Sequence, residues 1–310
     1  SAYTLMTFLT SILIGLCMGS GAFFSEDYGA GDTAQLRQDV LLSFWFVFGV
    51  SLLIYGVIYP GMNPILRLLQ TPEELMALMQ EYVRAVFAGI FFVFLYNFFA
   101  YLLRSMGNSV VPLVFLAVSA VLNIVLDIWF VMGLSLGVAG AAWATVIAQA
   151  VSFCMSVLFF TRFSCQQFRG VRADRATVGR ILTLGLPTLV QMGSLSVVLV
   201  VMNGLLAPRA GTVGVAAFGY VSRLAEFALA PFSALCLAAA PIIGSSYGAG
   251  LHSRVRQTVV RTVQLGLVYA VAAVAVCFAL SGALLGVFTR DPAIVQVGTH
   301  CLRRLAPALL

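Results

Sequence analysis

The sequence predicts an all-α integral membrane protein: two parallel six-helix repeats of a twelve-helix parent, with about nine helices present here. Three observations carry that reading. Of 310 residues, 61% are hydrophobic and 9% charged, with a mean hydropathy of +1.04; a soluble domain carries about 25% charged residues. The apolar runs reach the roughly 20 residues that a helix needs to cross a bilayer. A turn motif also recurs at an offset of 219 residues.

The charge-free runs give the elements in order. Helices are expected near 1–25, 40–66, 83–104, 111–133, 137–161, 180–206, 213–246, 262–288 and 294–310. Asp127 alone interrupts the run from 105 to 161, which is too long for one helix. Its centre, Gly133-Leu134-Ser135-Leu136-Gly137-Val138-Ala139-Gly140, is a glycine-rich turn signal. None of the runs alternates with period 2, as the strands of a membrane β-barrel would.

The repeat organises these elements. Tyr28-Gly29-Ala30-Gly31, followed by Arg37-Gln38, returns as Tyr247-Gly248-Ala249-Gly250, followed by Arg256-Gln257. Thr71-Pro72 pairs with Asp291-Pro292, and Arg84 with Arg304, at an offset of 220. Matches spaced along one offset indicate duplicated halves. Six helices separate the copies, so both enter the membrane in the same direction, related by an axis along its normal. The expected organisation is an N-terminal lobe over 1–161 without its first helix, a cytoplasmic inter-lobe linker over 162–179, and a C-terminal lobe over 180–310 without its last helices. The chain is thus expected to be a parent truncated at both ends.

Arginine placement sets the orientation. Ten arginines lie on the side of the 26–39 turn and six on the other. The positive-inside rule makes the first side cytoplasmic, in a multi-pass protein of the cell (inner) membrane.

Several chemistries are excluded. All 17 basic residues are arginine, so there is no P-loop lysine to hold a nucleotide phosphate and no lysine for a Schiff base. Six cysteines form no CxxC pair, and two histidines cannot make an HExxH zinc site. No cofactor is expected and no catalytic residue is assigned. The net charge of +6 is read as topology signal rather than nucleic-acid binding.

Three ionisable residues fall deep within spans: Asp127, Arg223 and Glu226. A charge at the bilayer centre costs at least ~2.5–3.5 kcal/mol on insertion scales, so each needs a partner or a role. Asn123 lies four residues before Asp127, on the same helix face. On the next helix Thr145 and Gln149, also four apart, can face them. Carboxylate, amide and hydroxyl oxygens are hard ligands suited to Na⁺, and a buried carboxylate also serves proton coupling. A polar contact between helices is the competing reading. Arg223 and Glu226, three apart, are expected to pair with each other, with a gate or substrate contact as the alternative. Tyr96, Asn97 and Gln191 lie mid-span as further candidates for substrate contact or gating, although interhelical hydrogen bonding accounts for each. No metal other than Na⁺ at Asp127 is expected.

An ordered set of strings resembles the multidrug and toxic compound extrusion (MATE) transporters. They are Leu103-Arg104-Ser105-Met106-Gly107-Asn108 with Pro112, then Asn123-Ile124-Val125-Leu126-Asp127, then Gly137-Val138-Ala139-Gly140-Ala141-Ala142-Trp143-Ala144-Thr145. Gly185-Leu186-Pro187 and Pro241-Ile242-Ile243-Gly244 follow in the second half. The resemblance implies a twelve-helix antiporter that exports amphiphilic, often cationic compounds against H⁺ or Na⁺, working as a monomer in the bilayer. In the DinF-like branch the cation site uses an aspartate and an asparagine on the fifth helix and a threonine on the sixth. Asp127, Asn123 and Thr145 match those positions. That branch's first-helix aspartate has no match here. The seventh-helix glutamate of the NorM-like branch is replaced by Leu195, which makes the DinF-like branch the nearer one. Two alternatives stand beside this: a flippase for lipid-linked precursors of the same superfamily, and an inactive truncated fragment.

Overall fold

The computed structural model describes residues 2–59, 73–163, 175–289 and 291–306. The described residues are helical almost throughout and contain no strand. The helices are α1 (Ala2–Ala30), α2 (Thr33–Ile58), α3 (Glu73–Ser105), α4 (Val110–Asp127, continued by a π-helical turn Ile128–Gly133) and α5 (Gly137–Phe163). They are followed by α6 (Arg175–Gly248), α7 (His252–Ala279), α8 (Ser281–Phe288) and α9 (Pro292–Leu305). Among the described residues six segments are long and apolar enough to cross a membrane: Leu9–Ala30, Thr33–Ile58, Val110–Gly133, Gly137–Thr161, Val213–Gly248 and His252–Ala279. Most of the expected linker, the end of the 40–66 run and the Thr71-Pro72 repeat match lie outside the described residues.

Helix ends differ from the charge-free runs because a helix continues beyond its apolar core wherever the backbone permits. The 26–39 segment, expected as a loop, is a tight link: α1 runs through Glu26 and Asp27 to Ala30, and α2 starts at Thr33. Gly31 takes φ +74°, a left-handed value suited to glycine, and Asp32 caps α2 by accepting from the Gln35 N–H at 2.9 Å. The repeat partner repeats the backbone bonds of the turn, without the side-chain cap, since Leu251 stands where Asp32 does. Asp32 N–H donates to the Asp27 carbonyl at 3.2 Å; 219 residues later Leu251 N–H donates to the Ser246 carbonyl at 2.9 Å, with Gly250 at φ +71°. The span expected over 262–288 divides at Leu280, where the backbone leaves helical geometry (φ −106°, ψ 15°). The expected gap between 206 and 213 narrows to Gly211 (φ 59°, ψ −160°), which interrupts α6.

The chain forms two compact units, Ser1–Ser196 and Val197–Leu310. In the first, Leu13, Phe23, Phe24, Phe87, Ile90, Phe94, Phe98 and Leu102 are fully buried between α1 and α3 and their neighbours. Burial of such aromatic side chains dominates the packing energy. Small residues bring the helices close: a Cβ on Gly19 of α1 would lie 2.6 Å from the Gly185 backbone nitrogen of α6, and one on Gly89 of α3 would lie 2.8 Å from Val146 of α5. In the second unit Val221, Leu224, Cys277, Leu285 and Leu302 form a smaller core, and Tyr269 of α7 donates to the Ala228 carbonyl of α6 at 2.7 Å.

Candidate functional site

Helix α4 is built for lipid on one face and for α5 on the other. Its exposed residues include Leu113, Val121, Ile124, Val125 and Ile128, while Ser119 donates across to the Ala148 carbonyl of α5 at 2.9 Å. Ser152 of α5 returns a bond to the Phe115 carbonyl at 3.4 Å. These bonds fix the register of the two helices. One turn beyond Ser119, that register brings Asn123 opposite Thr145. The Asn123 amide donates to Thr145 Oγ1 at 3.3 Å, and Thr145 Oγ1 donates to the Ala141 carbonyl at 3.1 Å.

Asp127 follows one turn further along. Its Oδ1 is buried and has no hydrogen-bond partner. The helix widens after it into a π-helical turn, Ile128–Gly133, in which Leu134 N–H reaches back five residues to the Trp129 carbonyl at 2.9 Å. Such π-helical turns occur frequently at functional sites. The expected turn after Gly133 is present, with Ser135 at φ 53° and Gly137 at φ 55°.

The structure thus joins Asn123 to Thr145 and sets Asp127 on the same helix with an unmet acceptor. Gln149 is half-buried one turn beyond Thr145. The other candidates have local commitments. The Tyr96 hydroxyl donates to the Pro112 carbonyl at 3.0 Å, tying α3 to α4. The Asn97 amide donates to the Val93 carbonyl of its own helix at 2.8 Å. Gln191 is exposed on α6. In the second unit Arg223 donates to Glu226 at 2.8 Å, both about half exposed, as the three-residue spacing predicts. Leu195's side chain lies outside the described residues. No group of three or more His, Cys, Asp or Glu side chains able to hold a metal occurs among the described residues.

A second polar cluster escaped the sequence reading. Arg180, at the opening of α6, reaches Glu26 at 3.1 Å, Asp27 at 3.7 Å and Asp39 at 3.1 Å. Thr177 donates to Asp39 Oδ1 at 2.7 Å, and Gln35 donates to the same oxygen at 3.0 Å. The guanidinium also lies over the Phe23 ring, 4.9 Å from its centroid. The signal was available in the repeat: Glu26, Asp27 and Asp39 align at offset 219 with the neutral Ser245, Ser246 and Thr258.

Comparison with known proteins agrees with this architecture. The MatE family model matches residues 1–129 and 187–310. Probable multidrug resistance protein YoeA of Bacillus subtilis (strain 168) is 28% identical over 316 residues, covering 97% of this chain and 67% of that protein. YpnP of the same organism, also a probable multidrug resistance protein, is 29% identical over 81% of this chain and 57% of its own length. Multidrug export protein MepA of Staphylococcus aureus (strain N315) is 25% identical over all of this chain and 70% of its own length. The chain therefore spans between about half and 70% of the length of these relatives. The solved structure of MATE in complex with MaD5 superposes with a TM-score of 0.89 at 24% identity, over 99% of this chain and 69% of that one. An outward-facing multidrug resistance MATE family transporter of the MOP superfamily superposes at 0.88 and 21% identity, over 99% and 69%. With a family model matched over most of its length and six apolar spans, the chain belongs to the MatE family of multi-pass membrane transporters, a multidrug-efflux family rather than one of enzymes.

Proposed function

We propose that this protein is a cation-coupled antiporter of the inner membrane that exports amphiphilic, often cationic compounds by alternating access. The observation that carries the reading is the buried, unpartnered Asp127 Oδ1 at the start of a π-helical turn. An ionised carboxylate in that setting is expensive to keep uncompensated, so a cation arriving there supplies what the protein leaves out. Asn123 and Thr145, one turn away and already bonded across α4 and α5, offer amide and hydroxyl oxygens beside it. The relatives' names, multidrug export and multidrug resistance, support the substrate class.

In this mechanism Asp127 takes H⁺ or Na⁺ from outside. Loading removes the carboxylate's charge or pairs it, which changes the packing of α4 at its widened turn. Substrate leaves outward and the cation leaves inward. The two ligands need not be bound together; each need only favour the opposite state. The protein works as a monomer, with the bilayer and small amphiphiles as its partners and no cofactor. Cells expressing Asp127→Asn are expected to lose resistance to the exported compounds while the protein stays at its normal level in the membrane. Undiminished resistance would refute the assignment.

A further inference from the structure

The Arg180 cluster holds more acid than base. Three carboxylates, Glu26, Asp27 and Asp39, meet one guanidinium, and the interior members are shielded from water: Asp39 is 0% exposed and Asp27 6%. The donors are not shared evenly. Asp39 Oδ1 accepts from Thr177 and Gln35, and its Oδ2 accepts from Arg180. Glu26, at the exposed edge, takes a 3.1 Å bond from the other arm of the guanidinium. Asp27 is left with a 3.7 Å approach through Oδ1, and its Oδ2 is buried with no hydrogen-bond partner.

The charges acting on Asp27 are those of Asp39 on α2, Arg180 on α6 and Glu26 on its own helix. The Arg104 guanidinium of α3 lies over the Tyr101 ring instead. If Asp27 were ionised, its charge would sit beside that of Asp39, with Oδ2 buried without a donor and Arg180 approaching only Oδ1, at 3.7 Å. If it is neutral, the charge is gone and its acid hydroxyl can donate to the Asp39 carboxylate beside it, so the cost is far smaller. A metal ion fits less well, because no three carboxylates converge on one point among the described residues.

We infer that Asp27 is a proton-binding site of this transporter, taking up a proton beside the Asp39 carboxylate that Arg180, Thr177 and Gln35 already bond. The site lies at the end of α1 that the arginine distribution assigns to the cytoplasm. The proton allows the opening of α6 to seat on the α1–α2 turn: one guanidinium then balances two negative charges, one of them at the solvent edge. This inference is independent of the role of Asp127.

Infrared spectroscopy of the protein in lipid bilayers at neutral pH tests it without a transport assay. A carbonyl-stretch band of a protonated carboxylic acid is expected. It should shift on carboxyl isotope labelling of aspartate, survive Asp127→Asn, and vanish in Asp27→Asn. Absence of the band, its indifference to aspartate labelling, or its survival in Asp27→Asn would each overturn the inference. The labelling arm needs no substitution, so it stands even if Asp27→Asn fails to fold. Loss of the band on adding sodium at constant pH would also overturn it, in favour of a metal cation at the same carboxylate.

Discussion

The two carboxylate sites of the first unit solve the problem of charge in a membrane differently. At Asp27 and Asp39 the chain supplies its own cation: Arg180 crosses from α6, and Thr177 and Gln35 complete the acceptor sites of Asp39. At Asp127 no arginine among the described residues is within salt-bridge distance, and the bonded polar pair one turn away, Asn123 and Thr145, is neutral. The first arrangement is self-contained and reads as a fastening with a protonatable corner. The second is incomplete by construction and reads as a place for a transient ion. Burial of a carboxylate alone does not mark a transport site; the identity of its partners does.

That contrast predicts opposite stability responses. Arg180→Ala removes the cation that three carboxylates share, and breaking a buried ion pair costs about 3–5 kcal/mol. Arg180 is about one-third exposed, so a loss near the lower end is expected, read as reduced thermal stability in detergent. Asp127→Asn removes a charge without a partner and should leave thermal stability unchanged or raise it. If the two substitutions destabilise equally, the distinction between the sites fails.

Smaller changes sharpen the same contrast. Thr177→Val deletes a 2.7 Å hydrogen bond to a buried carboxylate, for which about 1.5–3 kcal/mol is expected. Thr145→Val deletes a neutral bond at 3.3 Å, for which about 0.5–1.5 kcal/mol is expected. Its main effect should be on transport, seen as a weaker response to the driving ion, whereas Thr177→Val should act mainly on stability. Chemical denaturation in mixed micelles paired with an efflux assay separates them. A transport defect confined to Thr177→Val would reverse the roles.

The two repeat turns provide the smallest test. Gly31 and Gly250 share left-handed geometry and the same hydrogen bonds, and a Cβ at either meets nothing within 4 Å. Gly31→Ala and Gly250→Ala should therefore cost the same, about 1–2 kcal/mol each for the left-handed backbone. Unequal costs would show that side chains around the first turn, the Asp32 cap or the ion cluster, contribute to holding it.

Much of this was legible in the sequence for physical reasons. Nine spans were expected from the charge-free runs, and six of those runs coincide with spans long and apolar enough to cross a membrane among the described residues. The repeated Tyr-Gly-Ala-Gly string marked two turns that proved alike in their bonds. The pairing of Asn123 with Thr145 followed from helical spacing and one short turn. The Arg180 cluster was not legible: Thr177 and Asp39 are 138 residues apart, and reading acids as loop boundaries placed Asp27 and Asp39 outside the helices that bury them. Nor did spacing reveal that Tyr96 and Asn97 spend their polar groups on backbone carbonyls.

The central claim is that Asp127 couples an ion gradient to export, and proteoliposomes test it most directly. Substrate movement would be followed while an H⁺ gradient and an Na⁺ gradient are imposed separately, with and without Asp127→Asn. The expected result is that at least one gradient drives transport by the unsubstituted protein and that Asp127→Asn responds to neither. Gradient-driven transport by Asp127→Asn at the unsubstituted rate would contradict the account.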